Sequence, residues 1–329
     1  MYLLNPIFSA FTQLKYVWLH FISIPTPTFK NILDNLNLVE SLELTRITAV
    51  EWGNNPVSVN SIELPKSLKK LAIQTCNVLE NELEEDPMVF NYEIWQDTYE
   101  SDKLFLFKDT LLPNLESISL TRYEEPNILK INNFLSKAIN LRSLRIDGSF
   151  INQSTINILK SLKNFEELDL IQGLAPFGDE NNSLHLNFSN LSQLKTISII
   201  CKNSYDMLKN YITMFSNLSK LKVYYNTEII DYVLNRVSLK ELIIFCDFSD
   251  DFKYNLPPNN LEVIEIITFD PKNINFNSLA SSSNLKVIKI KPMKGRVRNI
   301  ALTQLWKYYS KFEGWRCKIS SSSISCHRI

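Results

Sequence analysis

The segment Leu141-Arg142-Ser143-Leu144-Arg145-Ile146 contains the phrase that decides the fold: apolar, two variable, apolar, one variable, apolar. The same phrase recurs along the 329-residue chain. Its eleven clear copies start at Leu14, Val39, Leu68, Leu115, Leu141, Phe165, Leu194, Leu218, Leu239, Leu261 and Leu285. We expect a degenerate twelfth copy at Trp315–Ile319. Successive starts lie 21 to 29 residues apart, with one gap of 47 residues, so the sequence is a repeat array.

The spacing of the phrase predicts one short strand per copy, because residues two apart on a strand point to the same face. Segments with helical spacing and helix-start signals lie between many copies. They are Thr28–Leu38, Asn127–Ala138, Asn152–Leu162, Ser204–Phe215, Thr227–Leu234 and Asn299–Lys311. Strands that alternate with helices in one direction pair in parallel. The sequence therefore predicts an α/β solenoid, with a curved parallel sheet on the concave side and helices on the convex side.

The repeat resembles the leucine-rich-repeat family over nearly the whole chain, and its long irregular copies resemble the repeat region of fungal F-box proteins. It departs from the family eight residues after each first apolar residue, where Asn or Cys is preferred but only Cys76 and Asn226 fit. The resemblance implies a protein-binding scaffold, and more finely a substrate receptor of an SCF-type ubiquitin ligase that binds a Skp1-like adaptor. No F-box-like helical module precedes the first copy in this sequence. Three interpretations remain open: residues 1–9 cap the array, another subunit covers its first edge, or the chain is a truncated relative of an F-box receptor.

Three segments define the expected organisation: a single solenoid of about 11–12 irregular repeats over residues 1–329, an acidic insertion or decayed repeat at 77–110, and a C-terminal cap at 299–329. From Asn77 to Asp102 the chain has nine acidic residues and no basic residue. Interleaved aromatic residues argue against a purely disordered loop. The insertion is interpreted either as a flap packed on the array, dispensable for folding, or as a docking element for a basic partner.

Charge is balanced overall, since 35 Lys and Arg face 35 Asp and Glu, so any electrostatic partner must be met by a local patch. From Ser281 to Ile329, however, eleven basic residues face the single acid Glu313. The basic patch in this region comprises Lys289, Lys291, Lys294, Arg296 and Arg298. It favours an alternative function, a component of a nucleic-acid-associated assembly. The sequence has no secretory signal and no apolar run long enough to span a membrane, so a cytoplasmic or nuclear protein is expected.

Catalysis is not expected. The three histidines, His20, His185 and His327, lie far apart in an array where only neighbouring repeats touch, and the six glycines form no phosphate-binding loop. We therefore expect no cofactor, no metal and no small-molecule substrate. The five cysteines are an odd number scattered through a large chain, and they are interpreted as reduced thiols.

Binding is predicted on the concave face, where the variable positions of the phrase lie. These positions are polar in the early and middle copies but apolar in the later ones. Apolar positions on adjacent strands would form one patch rimmed by charge, which is typical of a protein-binding surface. The predicted patch comprises Tyr224, Ile243, Phe245, Val263, Ile267 and Val287 with Lys220 and Lys222. A smaller secondary set on the first strand comprises Tyr16, Trp18 and His20.

Overall fold

The computed structural model confirms that all eleven clear copies of the phrase form strands. It describes residues 10, 12–52, 57–81, 105–121, 127–171, 191–200, 209, 212, 214–215, 217–235, 239–246, 259–268, 274, 276–280, 282–292, 313–320 and 323–329. The described residues divide into two compact units, unit 1 up to Glu166 and unit 2 from Glu167 onward. A single solenoid over 1–329 stays a prediction.

Unit 1 contains a mostly regular parallel sheet with the strand order β1-β2-β3-β5-β6, in which β4 pairs with the second half of β2. The strands are β1 Tyr16–Pro25, β2 Ser41–Trp52, β3 Lys70–Gln74, β4 Asn77–Asn81, β5 Ser117–Thr121 and β6 Ser143–Asp147. Its helices are α1 Thr26–Asn35, α2 Ile128–Lys137 and α3 Gln153–Ser161. Helix α1 packs against β1 and β2, and α2 packs against α3.

Unit 2 has the strand order β7-β8-β9-β10-β11-β12-β14-β13, parallel up to β12 and antiparallel from there on. The strands are β7 Glu167–Ile171, β8 Thr196–Ile200, β9 Lys220–Tyr224, β10 Glu241–Phe245, β11 Val263–Thr268, β12 Val287–Pro292, β13 Trp315–Ile319 and β14 Ile324–Arg328. Its helices among the described residues are α4 Thr227–Leu234 and α5 Phe276–Ala280.

The second and third apolar positions of the phrase form continuous buried rows, because every strand pairs with its neighbour in the same register. Leu44 of β2, for example, lies between Leu19 of β1 and Ile73 of β3. In unit 2, Leu242 lies between Leu221 and Ile264, and all three are buried. Burial of such a side chain contributes about 1.5–3 kcal/mol, so these rows are the main source of stability. The face of the sheet that carries the variable positions is called the open face below.

The junction between repeats is held by a backbone bond that recurs in both units. The residue before each strand and the first strand residue both donate their N–H groups to one carbonyl of the preceding repeat; Lys69 and Lys70, for instance, both donate to Glu40. Asparagine side chains add a second bond at the same junctions. Asn114, Asn140, Asn217 and Asn284, each directly before the first apolar residue of a copy, donate to carbonyls of Lys66, Pro113, Ser192 and Asn259. These asparagines satisfy backbone carbonyls of the neighbouring repeat, although they stand at a different position from the family's preferred Asn.

Charges alternate in sign at the residue before the strand of each copy in unit 1, and the alternation returns in the last copies of unit 2. In unit 1 this position holds Lys15, Glu40, Lys69, Glu116, Arg142 and Glu166 in turn. The Glu40 carboxylate forms ion pairs with the ammonium groups of Lys69, at 2.8 Å, and Lys15, at 3.2 Å. These two cations hold the pKa of Glu40 below its usual value. In unit 2, Glu262 is paired in the same way with Lys286 at 2.8 Å and Lys240 at 3.8 Å. Because like charges on adjacent repeats would repel, the alternation favours the observed order of repeats.

Helix starts follow the capping signals of the sequence. The Asn152 side chain accepts a hydrogen bond from the Thr155 N–H, and the Thr155 hydroxyl accepts one from the Asn152 N–H. The two bonds form a capping box. Asn127 and Asn226 cap α2 and α4 through the N–H groups of Lys130 and Ile229. The predicted helices at Thr28–Leu38, Asn127–Ala138, Asn152–Leu162 and Thr227–Leu234 are confirmed with shifted ends or unchanged. Most of Ser204–Phe215 and all of Asn299–Lys311 lie outside the described residues.

The acidic insertion is not a simple bulge at its two described ends. Residues 77–81 form β4, in which Val78 is fully buried. At the other end, Phe105 and Phe107 are buried and contact Phe29 of α1, with ring centroids 6.0 Å apart in both cases. The first five residues of Asn77–Asp102 complete a ladder with β2, and the dispensability of the segment for folding stays a prediction. Residues 82–104 lie outside the described residues.

The C-terminal end corrects two predictions. Trp315–Ile319 is not a twelfth parallel copy but the outer strand of an antiparallel pair with β14, and the Ser320 N–H donates to the Ser323 carbonyl at the end of this pair. This register places Cys317 opposite Cys326, and the two form a disulfide. The expectation that all cysteines are reduced thiols is thus wrong for this pair. Cys76 and Cys246 are buried thiols, and Cys201 lies outside the described residues.

Candidate functional site

The open face of unit 2 carries an apolar row, defined as Tyr224 of β9, Phe245 of β10 and Ile267 of β11. Register places these residues side by side on adjacent strands, about 4.8 Å apart. The rings of Tyr224 and Phe245 are in contact, with centroids 5.9 Å apart. All three side chains are half-buried, so the row presents apolar surface to solvent.

The other predicted patch residues differ in exposure. Val263 and Val287 are neighbours on β11 and β12 and are half-buried. Ile243 is only 6% exposed, so the prediction that it faces solvent is wrong. Its register neighbours are Lys222 and Glu265, and these long side chains flank it on both sides. Ile243 therefore belongs to the floor beneath the charged residues and not to the contact surface.

Charged residues border the apolar row and continue along its strands. Lys220 and Glu241 lie four residues before Tyr224 and Phe245 on β9 and β10, and they form an ion pair at 3.0 Å. Lys291 of β12 pairs with Glu265 of β11 at 2.9 Å, and the Glu265 side chain is nearly buried. Lys222 is half-buried between Ser198 and Ile243. The arrangement has an apolar centre and a polar rim, as protein interfaces do.

The basic patch is only partly placed by the structure. Lys289 and Lys291 lie on β12, and Lys291 is engaged by Glu265. Lys294, Arg296 and Arg298 lie outside the described residues. Strand pairing alone does not predict the ion pair of Lys291 with Glu265, because it is diagonal: the register neighbour of Glu265 is Lys289, and that of Lys291 is Ile267.

The secondary set on β1 is larger and more exposed than the sequence indicates. Tyr16 is 75% and Trp18 64% exposed, and His20 stacks on Trp18 with ring centroids 5.3 Å apart and planes inclined by 18°. Phe21 continues the row, 4.2 Å from His20, and the Arg46 guanidinium lies over its ring at 4.5 Å. Sequence reasoning missed Phe21 and Arg46, because strand alternation places Phe21 on the buried face. A left-handed backbone at Phe21, with φ of 54°, turns its side chain outward instead.

Within the described ranges, no three His, Cys, Asp or Glu side chains come together as a metal ion would require. Burial raises the pKa of the Cys76 thiol to about 11, which is unsuited to a nucleophile. In the part of the chain that the structure describes, no helix is both long and apolar enough to cross a membrane.

Comparison with known proteins identifies no family by sequence: no family model and no curated protein matches the chain. Among solved structures, the chain is similar to one in the crystal structure of a TLR13–ssRNA13 complex, with a TM-score of 0.38 and 15% sequence identity. The similarity covers 89% of this chain and 52% of that chain, so this chain spans about half the length of the solved one. The recurring phrase, the parallel register of its strands and the buried leucine rows are those of a leucine-rich-repeat fold.

Proposed function

We propose that this chain is a non-catalytic scaffold that binds a protein partner on the open face of unit 2. The observation that carries the proposal is the apolar row Tyr224, Phe245 and Ile267, three half-exposed side chains in register on adjacent strands. A variable position that served only solubility would be polar, as it is at Ser117, Ser119 and Ser143 of unit 1.

The composition of the row supports a protein partner. Aromatic side chains supply most of the binding energy in protein interfaces, and each anchor contributes about 2 kcal/mol or more when it is enclosed by the partner. The Lys291–Glu265 pair stands at the border of the row, since Lys291 is the register neighbour of Ile267, and such rim charges set specificity more than affinity.

Site-specific photocrosslinking tests this proposal. We expect benzoylphenylalanine at position 245 to capture a protein from cell lysate, with the product lost when unlabelled chain competes. The matched control places the same group at Leu129, which is 70% exposed on α2. Identical products at both positions would show that Phe245 marks no specific surface.

The SCF-type substrate receptor is the finer form of this proposal, and it rests on the resemblance of the repeats to those of F-box proteins. Co-purification with a Skp1-like adaptor tests it separately from the apolar row.

The alternative function is nucleic-acid binding through the basic patch, and the salt dependence of binding distinguishes it from protein binding. Phosphate contacts weaken linearly with the logarithm of salt concentration, whereas binding on an apolar row changes little.

A further inference from the structure

The strongest unassigned feature of unit 1 is the space between Tyr16 and Trp18 on the open face of β1. Residues two apart on a strand are separated by about 6.6 Å. The rings of Trp18 and His20 close this spacing by stacking 5.3 Å apart, whereas the rings of Tyr16 and Trp18 do not stack, so one planar group can enter between them. Trp18 packs one face on His20, and its opposite face lies on the Tyr16 side. No ring contact joins Tyr16 to Trp18 in the described part of the chain. The pair is called the ring slot below.

A carboxylate stands beside the ring slot. Glu43 of β2 is the register neighbour of Trp18, and Ser41 is the neighbour of Tyr16. Glu43 is exposed and forms no ion pair with any other described residue. On its other side is Ala72 of β3, whose small side chain leaves the carboxylate accessible.

Other nearby charges do not neutralise this carboxylate. Lys15 and Lys69, which flank the start of β1 and β3, are both engaged by Glu40. Lys70 lies in the row of Tyr16, two strands away and about 9.6 Å from it. The ring slot therefore combines two exposed aromatic faces with an unpaired negative charge.

The same strand already shows how a cation binds such a surface. Phe21, at the end of the aromatic row, is covered by the guanidinium of Arg46, which comes from β2 just as Glu43 does. At Trp18 the residue from β2 is a carboxylate, so the matching cation is not supplied by β2. Tryptophan is the best aromatic partner for a cation, and guanidinium both stacks on rings and forms paired bonds to carboxylate.

We propose that the ring slot binds an arginine side chain of a protein partner, with the guanidinium stacked between Tyr16 and Trp18 and donating to the Glu43 carboxylate. This site lies in unit 1 and is independent of the apolar row, so it adds a second recognition element to the proposed function. A nucleobase also fits between two rings, but its phosphates would meet the charge of Glu43 unfavourably.

Saturation-transfer NMR with the full chain tests the proposal. The probes are the peptide Gly-Ser-Gly-Arg-Gly-Ser-Gly, the same peptide with citrulline for arginine, and a ten-residue oligouridylate. We expect saturation of the arginine side chain and at least tenfold weaker binding of the citrulline peptide, because citrulline keeps the shape of arginine but loses its charge. Glu43→Gln and Trp18→Ala should each weaken binding of the arginine peptide at least fivefold.

The controls match the charge and size of each change. Glu116→Gln removes an exposed carboxylate from the residue before β5, and Leu129→Ala removes an exposed apolar side chain from α2; neither should alter binding. Circular dichroism confirms that each variant is folded. Equal binding of the arginine and citrulline peptides, or unchanged binding by Glu43→Gln, overturns the proposal. Preferential binding of oligouridylate that strengthens in Glu43→Gln also overturns it, in favour of a nucleobase.

Discussion

Single residues at the bends of the first three repeats hold a conformation that their side chains disfavour. Phe21, Arg46 and Thr75 have φ values of 54°, 53° and 51°, and each follows the third apolar position of its copy by two residues. Register therefore aligns them, and they interrupt the ladders between the first and second halves of β1 and β2. None is glycine, although a left-handed residue with a Cβ costs about 1–2 kcal/mol. Phe21 and Arg46 carry this conformational cost, and they are also the two residues whose side chains form an exposed cation–π contact.

Thr75 has no such contact, and its β-branched side chain makes the left-handed conformation especially unfavourable. We expect Thr75→Asn to raise the free energy of unfolding by about 1 kcal/mol, because asparagine adopts this conformation more readily. Denaturant melts measure the change. Thr110→Asn, at a position without positive φ, should give no gain. A Thr75→Asn protein that is no more stable than the Thr110→Asn protein would contradict the argument.

The Cys76 thiol is predicted to be inert in the folded chain. Burial raises its pKa to about 11, so only about one molecule in a thousand carries the thiolate at pH 8. Mass spectrometry after brief treatment with iodoacetamide at pH 8 should find Cys76 unmodified in the native protein and modified after unfolding. Rapid native labelling would show that β3 and β4 open readily around it.

At the scale of elements, asparagine side chains connect neighbouring repeats by hydrogen bonds to backbone carbonyls. Asn140 donates to the Pro113 carbonyl at 2.7 Å. Its Oδ1 also accepts from the Asn164 side chain at 3.3 Å. We expect Asn140→Ala to lower the free energy of unfolding by about 1–2 kcal/mol, the usual net value of two hydrogen bonds. Asn133→Ala, on the exposed side of α2, should change it by about 0.5 kcal/mol or less. Equal effects of the two substitutions would mean that the bond at the junction is not stabilising.

The segment after the acidic insertion belongs to the core of unit 1. Phe105 is fully buried among Phe29 and Phe107. We therefore expect Phe105→Ala to cost about 3–5 kcal/mol, whereas Leu129→Ala, at an exposed position, should cost about 0.5 kcal/mol or less. Thermal melts distinguish the two cases. A Phe105→Ala protein that melts with the wild type would restore the view that residues 77–110 bulge from the array.

Across the whole chain, the elements that follow from local pattern could be predicted and those that follow from distant neighbours could not. The alternation in Leu239–Ile244 determines a strand with buried Leu242 and Ile244, and Asn152 with Thr155 determines a helix start. By contrast, burial of Phe105 depends on Phe29, more than 70 residues earlier, and no periodicity marks it. The Cys317–Cys326 disulfide depends on the antiparallel pairing of β13 with β14, which the repeat pattern does not predict.

The candidate site shows the same division. Strand alternation predicts that Tyr224, Phe245 and Ile267 share one face, because each occupies the same position of its copy. It does not predict that Ile243 is covered, since that depends on the length of its neighbours Lys222 and Glu265. Nor does it find Phe21, whose outward direction results from a bend and not from alternation.

The central claim is that the apolar row binds a partner while the leucine row beneath it holds the fold, and paired substitutions at Phe245 and Leu242 test it most directly. Leu242 is fully buried, so Leu242→Ala should cost about 2–5 kcal/mol of stability. Phe245 is half-buried and its ring contacts Tyr224, so Phe245→Ala should cost about 0.5–1.5 kcal/mol of stability, less than Leu242→Ala, but weaken the complex with the crosslinked partner by about 2 kcal/mol or more. Thermal melts and pull-downs of both variants supply the two numbers. A Phe245→Ala protein that melts as early as Leu242→Ala, or that keeps full partner binding, would contradict the account.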